Sequence, residues 1–214
     1  MKNTFDLRLF NQMPVVGILR NYSFDEIEFI APIYQEAGLT TLEITMNSAA
    51  AEEEIKYLSS NFPGLNIGAG TVCTLADLDQ AEKAGASFIV SPILDVRLIR
   101  EANRKNLAVF PGAFSPTEIY QAWQAGATAV KIFPATMFGP KYVKEIKAPL
   151  NDIKLLPTGG VSPNNINDYF ENGATGVGMG SSLFNKKFLQ ARDKEGLLSG
   201  FREIVELVGR SVSP

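Results

Sequence analysis

Four short segments, Glu-Ala-Gly38-Leu, Lys-Ala-Gly85-Ala, Gln-Ala-Gly126-Ala and Glu-Asn-Gly173-Ala, recur with spacings of 47, 41 and 47 residues. Glycine readily takes the left-handed conformation that ends a helix, so each segment marks a helix stop just before a strand. A period of that size holds two βα units. Between the stops, short apolar, β-branched runs alternate with amphipathic stretches such as Phe24 to Ala37 and Thr117 to Ala125. That is the pattern of parallel strands buried on both faces and joined by crossover helices. The expected strands are Val15 to Arg20, Thr41 to Met46, Asn66 to Val72, Phe88 to Pro92, Ala108 to Ala113, Ala129 to Pro134, Ile153 to Gly160 and Gly176 to Ser181. An open doubly wound sheet would produce the same local pattern. Eight consecutive units close naturally, however, and no composition shift marks a boundary, so the reading is an α/β fold, one (β/α)8 TIM barrel domain over residues 1–214.

The histidine count is zero, which excludes serine–histidine and cysteine–histidine nucleophile pairs, zincin motifs and histidine-ligated catalytic metals. No metal is expected, and acid–base chemistry falls to Lys, Glu, Asp, Tyr or solvent. Gly176-Val-Gly178-Met-Gly180 lacks the last glycine of a dinucleotide fingerprint, and no Gly-Lys-Ser/Thr triplet occurs. A single cysteine, Cys73, rules out an internal disulfide framework, and Asp6 and Arg8 break any apolar leader at the start, so a cytoplasmic location is expected. No apolar stretch approaches the roughly 20 residues of a membrane span. A net charge of −3 without a basic block gives no drive toward nucleic acid. Small molecules are the expected partners.

Strand residues of a barrel alternate between interior and helix layer, and catalytic groups sit toward the C-terminal strand ends. In Ala129 to Pro134, Val130 and Ile132 suit the helix layer, which turns Lys131 and Phe133 inward. In Thr41 to Met46, Leu42, Ile44 and Met46 point out, leaving Glu43 and Thr45 inside. A buried ammonium tends to lose its proton, and the neutral amine is the nucleophile that imine formation requires. The same spacing also suits a buried ion pair that merely fixes the barrel. Phosphate sites in such barrels often use the loops after strands 7 and 8, and Thr158-Gly159-Gly160-Val161-Ser162 and Gly178-Met179-Gly180-Ser181-Ser182 both suit an anion. Ordinary turn glycine is the alternative for either loop.

Leu-Glu43-Ile-Thr, Gly-Ala-Gly70-Thr71-Val, Val-Lys131-Ile-Phe133-Pro134-Ala and Pro-Thr158-Gly159-Gly160-Val, in this order, resemble the motifs of the 2-keto-3-deoxy-6-phosphogluconate (KDPG) and 4-hydroxy-2-oxoglutarate (KHG) aldolase family. The resemblance runs from about Val15 to Phe184 and implies a class I aldolase and a homotrimer. It makes Lys131 the Schiff-base lysine, with no cofactor beyond that covalent imine, and Glu43 the general acid–base. Thr71 and Phe133 would line the pyruvate pocket, and Gly159, Gly160 and Ser181 would hold a phosphate. Thr45, Asn47 and Pro92, at the ends of strands 2 and 4, join the candidate substrate-binding set. Many gluconate-type members carry arginine where this chain has Asn47, and there it helps to bind the pyruvate carboxylate. Ile18-Leu19-Arg20, Asn47-Ser48 and Phe138-Gly139-Pro140-Lys141-Tyr142 look more like the 6-phosphogalactonate branch. Arg20 can replace the missing arginine, because its planar fork grips a carboxylate in two places; a solvated rim charge is the alternative.

The expected reaction is cleavage of a phosphorylated keto-sugar acid, 2-keto-3-deoxy-6-phosphogluconate, and by the resemblance also 4-hydroxy-2-oxoglutarate, to pyruvate and an aldehyde such as glyceraldehyde 3-phosphate. Thr158 matches the gluconate branch, where galactonate-type relatives have an apolar residue, and the gluconate epimer is preferred on that ground. A galactonate aldolase, a phosphosugar isomerase or epimerase with Glu43 as base, and a non-catalytic phosphosugar-binding barrel are the rival readings.

Overall fold

A computed structural model describes residues 4–212 of the chain. Helix α1 (Leu7–Gln12) precedes β1 (Val15–Leu19). There follow α2 (Phe24–Glu36), β2 (Thr41–Thr45), α3 (Ala51–Asn61), β3 (Asn66–Gly70), α4 (Leu75–Ala84), β4 (Phe88–Val90), α5 (Val96–Arg104), β5 (Ala108–Phe110) and β6 (Gly112–Ala113). The chain continues with α6 (Pro116–Gln124), β7 (Val130–Ile132), α7 (Pro140–Lys147), β8 (Leu155–Pro157), α8 (Ile166–Glu171), β9 (Val177–Met179), α9 (Lys186–Gln190) and α10 (Lys194–Val212). Every strand pairing is parallel, in the orders β5-β4-β3-β2-β1-β9 and β6-β7-β8. A bridge between Thr158 and Gly178 ties β8 to β9, and the chain itself runs from β5 into β6, so the strands close into a TIM barrel.

Local chemistry explains the elements. The four repeat glycines have φ of 95°, 99°, 100° and 95° at positions 38, 85, 126 and 173, each just past the end of α2, α4, α6 or α8. Ser23 with Glu26, Thr74 with Asp77 and Ser115 with Glu118 form reciprocal capping boxes that start α2, α4 and α6. One expected strand is broken. The run Ala108 to Ala113 splits at Pro111, which has no N–H to donate, and pairing switches there from β4 to β7. The other expected strands shorten, the last to Val177–Met179, so Gly178 and Met179 lie within β9 and not in the loop after it. Helix α1 lies ahead of the eight βα units, and two helices, α9 and α10, follow the last strand.

Interior and exterior positions follow the strand alternation. Leu42, Ile44, Val130 and Ile132 pack into the layer between strands and helices. Inside the barrel, the N-terminal half is an apolar plug of Phe10, Val16, Ile18, Phe88, Val90, Phe110, Ala129 and Leu156. Phe5 completes it, with ring centroids 5.4 Å from Phe88 and 5.7 Å from Phe110. Asn66 holds α1 across this end: its Oδ1 accepts from Asp6 N at 2.8 Å and its Nδ2 donates to the Asp6 carbonyl at 3.0 Å. The polar layer lies at the opposite end, on the same strands.

Candidate active site

Strand parity carries Glu43 on β2 and Lys131 on β7 into the barrel, 1% and 3% exposed. Positions without side chains let this layer pack closely, Gly70 against Glu43 itself. A Cβ at Gly70 would fall inside the Glu43 carboxylate, and one at Gly112 would strike the Pro92 backbone. None of the ion pairs among the described residues joins Glu43 to Lys131. Glu43 Oε2 is buried without a hydrogen-bond partner, and Lys131 Nζ lies 4.8 Å from the centroid of the Phe133 ring. A fixed structural ion pair, the alternative reading of these two residues, would satisfy both groups; this arrangement leaves a carboxylate oxygen open.

The electrostatics point the same way. Burial raises the Glu43 pKa, opposed by the positive charges of Lys131 and Arg20. Burial lowers the Lys131 pKa; Arg20 pushes it further down, while Glu43 and Cys73 oppose. Desolvation is the largest cause for both groups, so the pair is driven toward a neutral amine beside a protonated carboxyl. An amine of that kind adds to carbonyls, and a carboxyl of that kind can donate a proton and later take one back.

Phe133, whose ring the Lys131 side-chain nitrogen faces, also lines a cavity of about 780 Å³. Six of the residues expected from sequence line it: Arg20, Phe133, Thr158, Gly159, Gly160 and Ser181. The Gly159–Gly160 loop takes φ of 98° and 73°, a turn that two consecutive side-chain-bearing residues would resist, and it opposes Ser181 and Ser182 across the cavity. Arg20 is an exposed rim residue just after β1. Thr71, just after β3, has φ of 57°, a conformation that costs a β-branched residue about 1 to 3 kcal/mol and is typical of functional loops.

Lys131, Glu43, Thr71, Thr45, Asn47 and Pro92 are not part of the cavity lining. Thr45 is fully buried at the end of β2, its hydroxyl 3.2 Å from that of Ser48. Asn47 is exposed in the turn after β2, and Pro92 is half-buried beyond β4. Thr158 is buried, and its hydroxyl donates to the Leu156 carbonyl of its own strand at 3.3 Å. Sequence reasoning did not single out the half-buried Tyr22 and Glu26 or the exposed Lys186, which also line the cavity, because single residues at or near helix starts carry no motif. Ser48, which the sequence offered only as part of the Asn47-Ser48 branch marker, is buried and its hydroxyl accepts from Asn21 N at 3.0 Å. Among the described residues, no three or more His, Cys, Asp or Glu side chains gather as metal ligands, and no helix is long and apolar enough to cross a membrane.

The family model "KDPG and KHG aldolase" matches residues 7–198. The 2-dehydro-3-deoxy-6-phosphogalactonate aldolase of Escherichia coli is 36% identical over 81% of this chain and 85% of its own length. The 2-dehydro-3-deoxy-phosphogluconate aldolase of Pseudomonas aeruginosa is 41% identical over 73% of this chain and 70% of its own. A native KDPGal structure superposes with TM-score 0.87 at 31% identity, covering 98% of both chains. The KDPG aldolase of Legionella pneumophila, solved with pyruvate captured as a covalent carbinolamine, superposes with TM-score 0.81 at 26% identity, covering 96% of this chain and 97% of that one. With a TIM barrel, a buried lysine–carboxyl pair and these relatives, the chain belongs to the KDPG and KHG aldolase family and is a class I aldolase, a carbon–carbon lyase.

Proposed function

We propose that this chain cleaves a 2-keto-3-deoxy-6-phosphosugar acid to pyruvate and glyceraldehyde 3-phosphate through an imine on Lys131. The observation that carries this reading is the buried couple of Lys131 and Glu43, without an ion pair between them, next to Phe133, which lines a cavity walled by Arg20 and the Gly159–Gly160 loop. The neutral Lys131 amine adds to the C2 ketone. Protonated Glu43 then gives its proton to the departing hydroxyl, so water leaves and an iminium and a carboxylate remain. That carboxylate takes the C4 hydroxyl proton, the C3–C4 electron pair moves into the iminium, and the aldehyde departs from an enamine. Glu43 returns the proton to C3, and water hydrolyses the pyruvate iminium, restoring the amine and the acid. The carbinolamine captured in the Legionella pneumophila relative supports the first step.

Arg20 receives the substrate carboxylate, and the glycine loop with Ser181 receives the phosphate. Thr71, Phe133, Pro92, Thr45 and Asn47 shape the pyruvate end. Of the two epimers, the 6-phosphogalactonate substrate is the better supported. Asn47 stands where the gluconate branch carries arginine, and the Thr158 hydroxyl donates within its own strand, which removes the ground for a gluconate preference. The galactonate enzyme of Escherichia coli agrees with this assignment. A homotrimer is also proposed. Leu75, Ile93, Tyr120, Met137 and Phe138, on neighbouring units of the barrel, are each at least 48% exposed and offer an apolar surface to another copy. A reducing cytoplasm suits a chain whose one cysteine has no partner.

Borohydride reduction in the presence of pyruvate, with peptide mapping, tests the chemistry. A mass gain on Lys131 is expected; an adduct elsewhere, or none in active enzyme, overturns the mechanism, and an isomerase or epimerase would gain no mass. Relative kcat/KM on the two phosphorylated epimers tests the substrate. A galactonate preference that Thr158→Val leaves unchanged within about twofold is expected, and a gluconate preference lost on that substitution overturns the assignment.

A further inference from the structure

Arg20 is exposed, and no ion pair among the described residues involves it. An arginine side chain left to itself spreads over many rotamers, so where its guanidinium dwells depends on the backbone that launches it. That backbone is clamped. The next residue, Asn21, turns sharply with φ of 57°, and its N–H donates to Ser48 Oγ at 3.0 Å. The same hydroxyl lies 3.2 Å from Thr45 Oγ1, and Ser48 N donates to the Thr45 carbonyl at 2.9 Å. Ser48 and Thr45 are 8% and 0% exposed, so this chain of polar groups is shielded from water, and Thr45 ends the strand that carries Glu43. Because β1 and β2 pair with Leu19 opposite Ile44, the turn after β2 closes directly onto the residue that follows Arg20.

We propose that Ser48 is a positioning residue, whose hydroxyl holds the Asn21 turn and thereby fixes Arg20 over the mouth of the active site. The inference rests on the reading above in which Arg20 receives the substrate carboxylate, and it adds to that reading the element that makes the arginine's position reproducible. A serine in that turn then matters to keto-acid binding without touching the substrate. One hydrogen bond of this kind corresponds to about a two- to tenfold effect.

The test is a double-substitution cycle with steady-state kinetics on the phosphorylated keto acid. Ser48→Ala is expected to raise KM about three- to tenfold with kcat changed less than about twofold, and Ser48→Thr, which keeps the hydroxyl, to restore it. Arg20→Ala is expected to raise KM at least about tenfold. In the Arg20→Ala background, Ser48→Ala should then add nothing, since its effect passes through an arginine that is gone. An unchanged KM for Ser48→Ala, or an effect that persists in full without Arg20, overturns the positioning role while leaving the aldolase reading intact. An unchanged KM for Arg20→Ala removes the carboxylate anchor itself and with it this inference. Should Ser48→Ala fail to fold, Ser48→Cys, which keeps the side-chain shape but offers the Asn21 N–H a much weaker acceptor, is read in the same way.

Discussion

The two ends of the barrel interior are built from the same strands and have opposite physics. On β7 and the residues flanking it, Ala129 sits in the apolar plug, Lys131 in the polar layer and Phe133 at the cavity. Along β1, Val16 and Ile18 face the plug, and Arg20 follows at the rim. The plug end is filled by interlocking phenylalanines and closed by α1. The other end keeps inward positions as glycine, leaves Glu43 Oε2 unsatisfied and opens into a cavity. Stability is therefore gathered at one end, where each buried aromatic contributes about 1.5 to 3 kcal/mol. The other end carries groups that would be cheaper to fold without.

The sharpest way to break this division is Lys131→Met. Adduct formation and turnover should fall below detection, while the thermal midpoint rises by about 2 to 4 °C for each kcal/mol of relieved desolvation. A fall of more than about 5 °C in a melting experiment would instead make the lysine part of the scaffold. Glu43→Gln follows in size: kcat should drop by about 10² to 10⁴, because the amide can neither give nor take the proton. A variant turning over within about threefold of wild type, in rapid-quench or steady-state assays, contradicts that role.

Phe110→Ala probes the opposite end. Urea unfolding should show a loss of about 3 to 5 kcal/mol, with kcat/KM per folded molecule unchanged within about twofold. Strong loss of activity in fully folded Phe110→Ala would mean that the two ends are not independent.

The smallest effect is one of pH. Burial and the Arg20 charge both lower the Lys131 pKa, so the trapping rate should reach half its maximum below the usual lysine value of about 10.4. Removing Arg20 deletes one cause of that lowering, so Arg20→Ala should move the midpoint upward. Trapping followed against pH checks the sign; a midpoint that moves down would show that Arg20 does not act on the lysine.

Much of this was legible before any coordinates. Gly38, Gly85, Gly126 and Gly173 announce helix ends through a conformation only glycine takes cheaply, which is a local property. Alternation placed Glu43 and Lys131 inside because a strand has period two whatever it packs against. The buried face of α10, with Leu197, Phe201, Ile204 and Val208, shows the same local signal in its helical spacing. The break at Pro111 went against the continuous strand expected over Ala108 to Ala113, although a proline without an N–H is the local reason for it.

Other features had no local signal. Residue types and their periodicity determined the eight-unit pattern, the inward charges and the two glycine loops, because those follow from backbone stereochemistry and the cost of exposing apolar surface. Tertiary structure alone decided that Thr158 spends its hydroxyl within its own strand, that Ser48 meets Asn21 across 27 positions of sequence, and that Glu43 and Lys131 share one dry layer without pairing. These are matters of distance and dielectric between groups remote in the chain, and they exist only once the barrel has closed.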